Sequence, residues 1–186
     1  MKVEFKRTGE KRYSVSIWRD DQPALIMDPA PGFDPLMPHD LLHFLVELKL
    51  ELRHGIFGQI ALGGTATTFS HLNTGNSKKR TGSRLRRKSA KRDKNLAKQE
   101  DDYDRSERAT VICLYDWTLH SQSVELRNRA KEMEIDAEST LARMSDSERR
   151  SLSDSKLAEI RTAMDELSQN WSNLNIEESI ILTWPT

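Results

Sequence analysis

An α+β fold, in which a small antiparallel sheet packs against three or more helices, is predicted by three features of this sequence. Val3 and Phe5 alternate with Lys2, Glu4 and Lys6, and Tyr13, Val15 and Ile17 alternate with Ser14 and Ser16. The segment Ser179-Ile180-Ile181-Leu182-Thr183-Trp184 is a third strand-like run, closed by Pro185. Apolar residues then recur at three- or four-residue intervals in several longer stretches, the period of a helix with one buried face.

The alternating runs at 2–7 and 12–18, separated by Thr8-Gly9-Glu10, read as a β-hairpin. A two-stranded hairpin alone is marginal, so the C-terminal strand is expected to complete a small sheet. Five prolines (Pro23, Pro29, Pro31, Pro35 and Pro38) with Gly32 make the next segment extended and non-helical. Pro38 suits the first turn of the helix that follows, which should run to about Arg53 with Gly55 as its stop. Residues 55–64, GIFGQIALGG, hold four of the eight glycines and point to tight turns or close backbone approach. Two amphipathic helices follow later, one carrying Leu126, Ala130, Met133, Ala137, Leu141 and Met144, the other Leu157, Ile160, Met164, Leu167 and Trp171. Ser145 and Glu148 fit a capping box between them.

Charge is unevenly placed. The chain has 186 residues, 36% apolar and 31% charged, with a formal net charge of zero. Residues 78–98 nevertheless hold eleven Lys/Arg against one acid, Asp93, a net +10 in 21 residues. Residues 73–107 therefore read as a charged insertion, expected to be disordered, within one compact domain formed by 1–72 and 108–186. Its basic part, with Lys78, Lys79, Arg80, Arg84, Arg86, Arg87, Lys88, Lys91 and Arg92, reads as a solvated linker pairing loosely with the acidic stretch at 100–107, or else as a strip that binds nucleic-acid phosphates or an acidic protein in a salt-dependent way. No aromatic residue lies within it to stack on bases. A second copy of the chain is the other partner considered, along the two C-terminal helices.

A single cysteine, Cys113, excludes an internal disulfide and an all-cysteine metal cage, and suits a reducing cytoplasm. The first residues, MKVEFKRTGEKRYSVS, show no apolar signal core, and no run of about 18 apolar residues is long enough to span a bilayer.

The candidate chemistry lies in Pro38-His39-Asp40-Leu41-Leu42-His43-Phe44-Leu45-Val46-Glu47. At ~100° per residue, His39, His43 and Glu47 share an arc of roughly 80°, nearly opposite the stripe of Leu41, Leu45, Leu48 and Leu52. Such a face would open on a cleft between this helix and a neighbouring element. Imidazole and carboxylate at i, i+4 are what a helix offers a divalent ion. His39 and Glu47 are ~12 Å apart along the axis, so one ion would take His39 with His43, or His43 with Glu47. The third residue would then accept the far N–H of His43. Further ligands must come from elsewhere, His71 or the Asp116/His120 pair. The expected function is a metal-binding protein, with zinc as the expected ion and metal-dependent hydrolysis as the expected reaction. Its metal ligands would be His39, His43, Glu47 and His120, with Asp40 and Glu47 in supporting catalytic roles. The alternative is a non-enzymatic module that binds nucleic acid or an acidic partner through 78–98.

Over five residues this helix resembles the HExxH helix of zincin metallopeptidases. The resemblance implies His39 and His43 as zinc ligands and Asp40 as general base, on a side chain one methylene shorter than the family's glutamate. The longer segment PGFDPLMPHDLLHFLVE followed by GIFGQIALGG is similar to a family of uncharacterised bacterial proteins over residues 28–70, which implies a domain core and no particular activity.

Overall fold

The structure is a computed structural model that describes residues 1–20, 22–72, 87, 90–96 and 102–185. Five strands form one sheet: β1 (Lys2–Gly9), β2 (Arg12–Arg19), β3 (Gln22–Ala30), β4 (Ser70–His71) and β5 (Ser179–Thr183), in the order β4-β3-β2-β1-β5. Every pairing is antiparallel. The hairpin register puts Val3 against Ile17 and Phe5 against Val15, with Ile180 of β5 on the other side of Phe5. Val3, Phe5, Tyr13, Val15 and Ile17 are fully buried, as their alternation requires.

The proline-rich extended segment begins as strand β3, which enlarges the sheet beyond the three expected strands. Pro23 and Pro29 are tolerated because β4 pairs only with Leu25 and Ile26, between them, so their missing N–H groups interrupt no bond to that neighbour.

The helices among the described residues are, in chain order, α1 (His39–Lys49), α2 (Ile56–Ala61), α3 (described over 90–96), α4 (Asp102–Leu119), α5 (Val124–Arg143), α6 (Asp146–Ser151) and α7 (Asp154–Ser172). Helix α1 is central. Phe44 meets Phe5 at 5.8 Å and Phe57 at 5.0 Å, and packs on Trp184. Every residue from Asp40 to Glu47 is buried, because α4 covers the face that the leucine stripe leaves free. Helix α7 closes another side, with Trp171 fully buried against Tyr13. The capping box of Ser145 and Glu148 is present and starts the short helix α6, while Ser153 caps α7.

Residues 102–107, read as part of the insertion, belong to helix α4. Asp102 is buried there and accepts from Arg105 at 2.7 Å and from the His54 backbone N–H at 3.0 Å. Within 90–96, Asp93 accepts from the Thr65 N–H and hydroxyl at 2.6 and 2.7 Å, which fastens α3 to the turn after α2. The expectation of disorder for residues 73–86, 88–89 and 97–101 falls outside the described residues. Among the described residues, no helix is long and apolar enough to cross a membrane.

Candidate metal centre

Helix α1 supplies two imidazoles one turn apart, and α4 brings a carboxylate against them. The rings of His39 and His43 meet edge to face, with centroids 4.4 Å apart. Glu107 Oε2 lies 3.8 Å from His43 Nε2. One donor atom from each of His39, His43 and Glu107 falls within 4.8 Å of the other two. Two donors bound to one tetrahedral zinc by bonds of about 2.0 Å sit about 3.3 Å apart, so small side-chain movements would close this group on an ion. His43 is fully buried, Glu107 partly exposed and His39 exposed, so the group opens to solvent at its His39 end.

His39 can sit there because residue 32 is glycine. Gly32 has a φ of +67°, and a Cβ on it would stand 2.7 Å from the His39 Cβ. Its carbonyl accepts the His39 N–H at 3.1 Å and so sets the start of α1.

Behind His43 lies a buried polar chain. His43 Nδ1 is 2.9 Å from Ser106 Oγ, and the Ser106 hydroxyl donates to Glu47 Oε1 at 2.8 Å. The Glu47 carboxylate accepts the Ile56 N–H on Oε1 at 2.8 Å and the Phe57 N–H on Oε2 at 2.9 Å. Glu47 thus caps α2, whose first N–H groups have no partner within the helix. Residue 55 must be small for this: a Cβ on Gly55 would stand 2.5 Å from the Glu47 carboxyl carbon. Gly55→Ala should push that carboxylate off the N–H groups and cost about 2 kcal/mol in a urea titration; wild-type stability would refute the contact.

Burial dominates the electrostatics. It lowers His43 to about 3, with the His39 charge adding to the effect, so this imidazole is neutral at neutral pH. It raises Glu47 to about 7, against the hydrogen bonds from Ser106 and the α2 backbone. Among the described residues His43 Nε2 is buried and has no hydrogen-bond partner. It faces the gap toward Glu107.

The structure brings His39 and His43 together as the helix spacing predicts, and takes the third donor from Glu107, a residue that no spacing in the chain singles out. Glu47 stands outside that donor group, with its carboxylate directed at α2. Between the Glu47 carboxylate and His43 Nδ1 stands the hydroxyl of Ser106. Asp40 points to the sheet side of α1, where its carboxylate accepts from the Tyr13 hydroxyl, and burial raises its pKa. His120 lies beyond the end of α4, exposed, with Nδ1 2.8 Å from the Asp116 carbonyl and 3.2 Å from its carboxylate. Asp116 in turn pairs with Arg161 at 2.9 Å. His71 is paired in β4. Cys113 is buried in α4 and its thiol is pushed up to about 12, so it is no thiolate at neutral pH.

Of the basic set, Arg87, Lys91 and Arg92 are exposed on the described part of the segment. Lys78, Lys79, Arg80, Arg84, Arg86 and Lys88 lie outside the described residues.

Two imidazoles and a carboxylate with a solvent-facing position form the donor set of catalytic zinc sites. Comparison with protein-family models, with curated proteins and with solved structures gives no match.

Proposed function

We propose that this protein binds a divalent metal ion through His39, His43 and Glu107, that the ion is zinc, and that it serves a hydrolytic reaction at the solvent-facing end of the site. One observation carries the reading: His43 Nε2 is a buried nitrogen without a hydrogen-bond partner among the described residues, 3.8 Å from a carboxylate oxygen. A buried polar atom left unpaired costs about 1–3 kcal/mol, and coordination would remove that cost. Two nitrogen donors and one oxygen suit zinc better than the all-oxygen cages of calcium or magnesium. Bound there, the ion would supply Lewis acidity and an acidified water at neutral pH. Asp40, the base implied by the zincin resemblance, is engaged with Tyr13, so its role here is to anchor α1 to β2, with no part in hydrolysis.

Protein purified without a histidine tag should hold near-stoichiometric zinc, and His43→Ala should abolish it with the fold retained by circular dichroism. Glu107→Gln should weaken binding by about tenfold or more, as loss of a charged ligand would. Wild-type protein that stays metal-free after incubation with zinc would overturn the reading. Chelator-sensitive turnover of ester, phosphoester or peptide substrates tests the hydrolytic part, and its absence across all three with zinc bound would refute that part alone.

A further inference from the structure

The polar chain from α2 to His43 leaves little freedom in where its protons sit. Both oxygens of Glu47 already accept backbone N–H groups, from Ile56 and Phe57, so its carboxylate enters the chain as an acceptor. Ser106 has one hydroxyl proton, and at 2.8 Å it gives that proton to Glu47 Oε1. The Ser106 oxygen then has only lone pairs to offer His43 Nδ1, 2.9 Å away. Nδ1 must therefore carry the hydrogen. A neutral imidazole has a single N–H, which leaves Nε2 as a bare lone pair on the side of Glu107. Thr110 Oγ1, at 3.4 Å from Nδ1, is a longer and weaker second partner.

We infer that Ser106 is a positioning residue: it relays the Glu47 carboxylate to His43 Nδ1, fixes the Nδ1–H tautomer, and so presents Nε2 as a metal-ready donor. The inference rests on the metal-binding reading above and adds the group that makes His43 competent for it. The arrangement is a carboxylate–histidine–metal chain with a serine interposed. The interposition has a geometric cause. Glu47 is one turn beyond His43 on the same helix, but its carboxylate is held by α2, so a donor from α4 must bridge them.

The test uses the full-length protein, labelled with nitrogen-15 at histidine, without metal and at about pH 8, far above the value of about 3 to which burial lowers His43. Long-range proton–nitrogen spectra of the wild type should show His43 protonated at Nδ1 and bare at Nε2. Ser106→Ala should populate both tautomers and weaken zinc binding, measured by competition with a chromophoric chelator, by about 10–100-fold. Ser106→Thr, which keeps the hydroxyl, should restore both readouts to near wild type. A role limited to packing would lower the melting temperature of Ser106→Ala without moving the tautomer or the zinc affinity, and that result overturns the inference. A wild-type His43 protonated at Nε2 overturns it as well, even where Ser106→Ala fails to fold. A wild type with the Nδ1–H tautomer that binds no zinc would instead refute the metal reading and leave the positioning by Ser106 standing.

Discussion

Glu47→Gln is expected to lower the stability of this protein by about 3–5 kcal/mol, as a drop in the urea midpoint at about pH 8. The volume hardly changes, so packing is not the cause. Both carboxylate oxygens accept a backbone N–H, from Ile56 at 2.8 Å and from Phe57 at 2.9 Å. An amide presents one oxygen and one NH2, so one of those N–H groups would face another donor inside a fully buried site. The Ser106 hydroxyl competes for the same oxygen and would lose its partner in turn. Glu47 is raised to about 7, so between pH 7 and 4.5 the wild type gains stability that the non-titrating amide lacks, and the gap between variant and wild type should widen on acidification over that range. A loss under about 1 kcal/mol would mean that α2 does not depend on this cap.

The second large effect is a pH dependence in which two buried groups of α1 oppose each other. Burial holds His43 at about 3, below the usual 6.5. Between those values the unfolded chain takes up a proton that the fold refuses, so His43 destabilises the protein as pH falls from 6.5 toward 3. Glu47, raised from 4.5 to about 7, acts in the other direction: the fold accepts a proton before the unfolded chain does, so acidification from 7 to 4.5 stabilises. In the metal-free wild type the two contributions largely cancel over their shared window. His43→Leu removes one of them. Relative to wild type, its stability should rise by roughly 3 kcal/mol between pH 7 and 4.5, since a proton taken up by only one of the two states changes stability by about 1.4 kcal/mol for each pH unit crossed. Melting temperatures of both proteins across that range measure it. Parallel curves would mean that His43 titrates normally in the fold.

Much of the scaffold was legible because it is written in apolar periodicity. Val3, Phe5, Tyr13, Val15 and Ile17 alternate and are buried by that alternation. The leucine stripe of α1 and the two later amphipathic helices follow the same logic, and the Ser145/Glu148 box announces a helix start in local chemistry alone. Helix α4 has no such signature at its beginning. The residues its first turns bury are Asp102, Ser106, Ala109 and Thr110, mostly polar, in a stretch crowded with charges. A reading by hydrophobic pattern passes over it, and with it Ser106 and Glu107. A polar helix face is buried stably only when its partners are polar too, and those partners, His43 and Glu47, lie about sixty residues away in the chain.

That His39, His43 and Glu47 share one face of a helix is a matter of local spacing, since it follows from ~100° per residue and nothing else. The same spacing sets that face away from the helix's own leucine stripe. Which of the three residues meet is a matter of packing. Helix α2 starts beside Glu47, and its unpaired N–H groups attract that carboxylate away from the imidazoles. Helix α4 crosses the same face and supplies a serine to one nitrogen of His43 and a carboxylate to the other side. Hydrogen-bond partners and metal donors are chosen by distances of about 3–5 Å, and distances between separate helices are fixed by how the helices pack, which no local spacing encodes.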